Sequence, residues 1–105
     1  MADVKFEVTR FALSTAAATN TQDVTISGFG TPKAAIFIFS SGVTDDTLAA
    51  DFLLGIGWTD GTRENAICGR SEDAVGNSNS GRIQRTDRVI TYCNASGTAE
   101  ANRNG

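Results

Sequence analysis

The stretch that most constrains this chain is Phe52-Leu53-Leu54-Gly55-Ile56-Gly57-Trp58-Thr59, then Asp60-Gly61, then Thr62-Arg63-Glu64-Asn65-Ala66-Ile67-Cys68. Successive side chains of a strand point to opposite faces. The first run therefore sorts Phe52, Leu54, Ile56 and Trp58 onto one face and Leu53, Gly55 and Gly57 onto the other. Asp-Gly between two strand-like runs signals a type I′ hairpin turn, in which both central residues take positive φ. A two-residue loop then sets Thr59 opposite Thr62, Trp58 opposite Arg63 and Leu54 opposite Ile67. Ile67 joins the bulky face, and Ala66 and Cys68 join the small one. The bulky face is expected in the core, with the small face accepting a close-packed neighbour. Arg63 is expected to stack on the Trp58 indole.

The rest of the chain has the same β texture. Val4, Phe6 and Val8 share a face against Lys5, Glu7 and Thr9, which predicts a strand over 4–10 with a bulge or end near Arg10. Ser14 to Gln22 reads as a loop, and Asp23 to Ser27 as a second strand closed by Gly28-Phe29-Gly30. Pro32 marks the entry to a third, Ala34 to Phe39. That run is apolar on both faces, as a central strand requires. Thr44 to Ala50 predicts one helical turn, with Thr44 as cap and Asp45 and Asp46 at the positive end of its dipole; a plain loop is the alternative. Arg82 to Arg85 predicts a short strand within a long polar segment, and Val89 to Cys93 the last strand. Asn94 to Gly105 holds no large apolar residue and reads as a loop or tail. The expected fold is therefore all-β, an antiparallel sandwich or jelly-roll-like domain of about six strands over 1–93. It would carry one short helical turn near 45–50 and a polar tail over 94–105.

Composition narrows the chemistry. Among 105 residues there is no His, which removes Ser-His-Asp triads, Cys-His dyads and His-containing zinc sites. The net charge of -3 argues against direct nucleic-acid binding. The longest apolar run, Ala34 to Phe39, is far shorter than a membrane span, so no membrane insertion is expected. The first residues lack a basic segment followed by an apolar one, so no signal peptide is expected. Gly55 to Gly61 has the wrong glycine spacing for a phosphate-binding loop and precedes a turn rather than a helix.

Charge is unevenly spread. Residues 45–64 carry a net -4, and residues 65–105 a net +1 with five arginines. Asp45, Asp46, Asp51 and Asp60 on one side, and Arg82, Arg85 and Arg88 on the other, are thus candidate contacts between copies of the chain. Solvated surface charge is the plain alternative. The same acids could supply oxygen ligands to a structural Ca²⁺, although none has EF-hand spacing; no other cofactor is expected. As a glycosidase pair these acids fail, because adjacent carboxylates are not two groups flanking a sugar across a cleft, and no catalytic residues are assigned. Cys68 and Cys93 each fall in a strand and are read as reduced, half-buried thiols; a bridge between them is the alternative if their strands face each other.

Three segments resemble something known: Thr31 to Phe39, then Leu54 to Arg63 after an acidic, Ala-containing turn, then Ser71-Glu72-Asp73-Ala74-Val75-Gly76. Their order resembles a recurrent β-rich domain of tailed-bacteriophage virion proteins, over about residues 24 to 93. The resemblance implies a sandwich or jelly-roll domain without catalytic residues. It also implies a structural or host-contacting role in a particle of many copies, as a tail, fibre or head-decoration component. Partners would be other copies, other virion proteins and a host surface glycan. The chain would be made in the host cytoplasm and reside in the virion. Such domains usually continue past the strand matching Val89 to Cys93. This chain would then be part of a longer polypeptide, or be completed by a neighbour's strand. The alternative function is a lectin-like carbohydrate-binding module, with Trp58, Arg63 and Tyr92 as ligand contacts.

Overall fold

The computed structural model describes residues 4–12, 24–40, 45–73, 76–77, 79–95 and 100–103. The expected loop at Ser14 to Gln22, the strand start at Asp23 and the cap at Thr44 lie outside them. The described residues form an all-β protein without a helix. Its strands are β1 (Ala35–Phe39), β2 (Phe52–Thr59), β3 (Glu64–Glu72), β4 (Asn79–Arg85), β5 (Ile90–Cys93) and β6 (Glu100–Arg103). The first four make an antiparallel sheet in the order β1-β2-β3-β4, and β5 pairs with β6 in a second, two-stranded sheet.

The β2–β3 hairpin forms, with a longer loop than expected. Thr59 pairs with Glu64, Trp58 with Asn65 and Ile56 with Ile67, so Asp60 to Arg63 make a four-residue connection. Among these four, positive φ falls on Gly61 alone, at 90°, whereas a type I′ turn needs it at Asp60 as well. The Asp60 carboxylate closes the loop instead, accepting from the Thr62 and Arg63 amides at 3.0 and 2.7 Å. This is the Asx-type closure that aspartate offers a turn. Arg63 thereby sits in the loop and is not the cross-strand partner of Trp58. The register moves by two residues, and a shift of two preserves which side chains share a face.

The faces themselves are reversed. Ala66 is 2% exposed and Cys68 4%, and both point into the core from the small face. Cys68 joins Leu53 and Phe39 in packing against Val89, Ile90 and Cys93, which lie beneath the sheet. Two edge-to-face aromatic pairs extend this core: Phe39 with Tyr92 at 5.4 Å between centroids, and Phe11 with Phe37 at 6.3 Å. The bulky residues Phe52, Leu54, Ile56, Trp58 and Ile67 all face outward. The cause is the close approach of the covering layer. A Cβ on Gly57 would overlap the Val89 carbonyl oxygen, and one on Gly55 would overlap the Phe39 ring. Without side chains, Gly57 admits the Val89 main chain and Gly55 the ring of its cross-strand partner Phe39.

Four further expectations are corrected. Ala34 to Phe39 does not make a central strand: among the described residues β1 is an edge strand paired with β2 alone, and Ile36 and Ile38 are 76% and 74% exposed. Residues 45–50 form no helix, because Asp46 takes a φ of 58° and Asp51 one of 66°, both left-handed. The segments 4–10 and 24–27 have strand-like patterns but no strand pairing, and Val4, Phe6 and Val8 are exposed. The polar C-terminal segment contains β6, which pairs Ile90 with Arg103 and Cys93 with Glu100.

Candidate functional site

The reversal leaves a continuous apolar surface on the outside of the sheet. Ile36 lies opposite Trp58, and Ile38 opposite Ile56. Ile56 in turn lies opposite Ile67, and Leu54 opposite Gly69. Directly opposed residues share a face, so β1, β2 and β3 contribute one patch of branched and aromatic side chains. Phe52 extends it at the start of β2. The patch ends at β4, where Gln84 pairs with Ile67, Arg82 with Gly69 and Ser80 with Ser71. A shallow depression lies on this border, lined by Leu54, Ile56, Ile67, Gly69, Arg82 and Gln84. Its floor is Gly69, around which an added Cβ would meet no atom within 4 Å.

The charged candidates are distributed differently from the expected two blocks. Asp45 accepts two hydrogen bonds from the Arg10 guanidinium, which holds its carboxyl below the usual carboxylate range. Asp46 is an exposed turn residue. Asp51 accepts from the Asp73 amide at 2.7 Å, tying the start of β2 to the end of β3. Asp60 is lowered by the two loop amides it binds, that of Arg63 first. Arg85 and Arg88 both bridge Asp87, at 2.8 and 3.2 Å, and Arg85 is the main reason that the Asp87 carboxyl is lowered. Arg82 stands apart, on the apolar face beside Gly69, whereas Arg85 is on the opposite face of β4 across from Ala66. The arginine trio is therefore split, and Asp45, Arg85 and Arg88 have partners within the chain.

The residues of the carbohydrate alternative are not gathered either. Trp58 is on the outer face and 41% exposed, Arg63 is in the loop, and Tyr92 packs under the sheet against Phe39. Among the described residues, no three His, Cys, Asp or Glu side chains cluster as a metal site would require. Cys68 and Cys93 are both buried in the core as free thiols close to one another, and burial pushes the Cys68 thiol above its ordinary range.

The outer face is the arrangement that sequence reasoning missed, since it assigned Ile56 and Trp58 to the core and Ile36 and Ile38 to a central strand. A signal was present in Gly55-Ile56-Gly57 and the alanine that pairs with Gly57. Small residues opposed across two strands mark where another backbone comes close. Compared with known proteins, the chain matches no family model, no curated protein and no solved structure.

Proposed function

We propose that this chain is a structural subunit of a tailed-bacteriophage particle, present in many copies as a tail, fibre or head-decoration component. The observation that supports the reading best is the outward-facing apolar sheet. Monomeric soluble proteins rarely leave a contiguous apolar patch of more than a few hundred Å² in water, and larger ones mark interaction surfaces. Strand β1 adds a second feature, since among the described residues it lies at the edge of the sheet, and a sheet edge is a template for pairing with another chain. A protein built to work beside its neighbours accounts for both. The resemblance of Thr31 to Phe39, Leu54 to Arg63 and Ser71 to Gly76 to virion β-domains supplies the kind of assembly.

In this reading the chain is not an enzyme. It contains no His, and its carboxylates at Asp45, Asp60 and Asp87 are engaged by neighbouring cations or amides. Quantitative mass spectrometry of gradient-purified phage particles from cells expressing the gene tests the proposal. The chain is expected in the particle at many copies. Its absence from particles, with the protein abundant in the same lysate, contradicts the reading.

A further inference from the structure

The apolar face also defines how the copies meet, an inference that rests on the self-assembly in the reading above and gives it an interface. We propose that the outer face of β1–β3 docks a second copy of the same face, the two sheets stacking into a two-fold sandwich. Three observations choose a second copy over other occupants.

The first is area. Large apolar side chains present about 150–250 Å² each, and the exposures of the seven on this face leave on the order of 700 Å² open. That is above the ~300–600 Å² of the largest patch on a typical monomer, and close to the ~800 Å² per partner of a stable interface.

The second is charge. The strand positions on this face carry no acidic residue, and Arg82 on β4 is their one charge. Copies with a net charge of -3 repel through most of their surface. Here they can meet without bringing carboxylates together.

The third is shape. The face carries both its largest side chain, Trp58, and a hollow, the open space over Gly69 beside Leu54. A two-fold axis between the sheets near Ile56 carries each copy's Trp58 over the other's Leu54 end, next to that hollow. An interface in which one patch supplies both halves is the isologous kind that closes a dimer. Facing sheets pack ~10 Å apart with interdigitated side chains, so the dimer would supply the layer that the outer face lacks.

Sedimentation equilibrium of the full chain from about 1 to about 200 µM tests this, over the range in which specific self-association is measurable. The expected result is a reversible monomer–dimer equilibrium. Ile56→Lys is expected to raise its dissociation constant by about 100-fold or more, the loss typical of a central contact. Ile56 is outward-facing, so the variant should keep the wild-type circular dichroism and melting temperature. Gly69→Val is a second variant; it adds apolar area but fills the hollow, and is expected to weaken the dimer. If Gly69→Val instead promotes association, the face is merely adhesive and the proposal fails. It also fails if the wild type stays monomeric at 200 µM, if Ile56→Lys dimerises as the wild type does, or if the monomer binds phosphatidylcholine vesicles in preference to itself. A monomer that is nevertheless found in particles overturns the interface alone; a dimer on this face that is absent from particles overturns the virion reading alone.

Discussion

The Val89 main chain passes directly over Gly57, so that a single methyl group on the glycine would collide with the Val89 carbonyl oxygen. Gly55, two residues earlier, meets the Phe39 ring, and Gly69 meets nothing within 4 Å. Alanine substitutions should rank accordingly. Gly57→Ala is expected to lose about 3 kcal/mol or more, because backbone cannot move aside as a side chain can. Gly55→Ala should lose about 1–2 kcal/mol as the ring shifts. Gly69→Ala should be neutral or gain up to about 1 kcal/mol through the unfolded chain's lower entropy. Urea denaturation of the three variants checks the order, and equal losses would contradict the packing described.

Adjacent leucines report the same polarity of the sheet. Leu53 is buried and Leu54 exposed. Leu53→Ala should cost about 2–4 kcal/mol through lost burial and a cavity, and Leu54→Ala less than about 1 kcal/mol. A larger loss at Leu54, measured on dilute protein, would place the core on the other face.

The exposed carboxylates give a definite sign to the pH dependence. Asp45, Asp60 and Asp87 are all lowered in the folded chain, by Arg10, by the loop amides and by Arg85 respectively. A lowered acid contributes stability that is present above its unfolded value and is lost as pH falls through the folded one. Stability at moderate salt should therefore be insensitive to these groups above about pH 5 and fall below about pH 4. Asp60→Asn keeps an oxygen to accept from Thr62 and Arg63 but cannot take up a proton, so its decline should be shallower. Thermal melts between pH 7 and pH 2.5 check this; a wild type that gains stability on acidification contradicts the sign.

Thiol reactivity probes the contact between the layers. Cys68 on β3 and Cys93 on β5 are both buried away from reagents, and burial also raises the Cys68 thiol, which leaves it little thiolate at neutral pH. Both are expected to react with a disulfide reagent at least about 100-fold more slowly in the folded chain than in urea. Rapid labelling of Cys68 without denaturant would show that β5 does not cover the sheet.

The all-β class, the β2–β3 hairpin, the strand around Arg82 to Arg85 and the last strand of the expected domain were legible in the residues, because each is a local pattern of period two or of turn chemistry. Which face of the hairpin is buried was not. Local hydrophobicity favours burying Phe52, Ile56 and Trp58, whereas the outcome depends on the distant Val89 backbone reaching Gly57. The two-sided apolar pattern of β1 has the same origin: Phe37 and Phe39 face the core, while Ile36 and Ile38 belong to the outer patch. The hairpin loop departs from the expected two-residue turn because Asp60 acts through its side chain rather than through a positive φ. β6 escaped notice because its pairing with β5 uses backbone groups, which Glu100 to Arg103 supply without any apolar signature.

Trp58 is the single tryptophan of the chain and stands on the face in question. Its fluorescence quenching by acrylamide, measured across a dilution series alongside the mean mass, reports directly whether the outer face is open in the monomer and covered in the dimer. In the dilute monomer Trp58 is expected to be red-shifted and readily quenched, with protection rising as the mass doubles. A Trp58 already blue-shifted and protected in the dilute monomer, or one still fully quenched in the dimer, would contradict it.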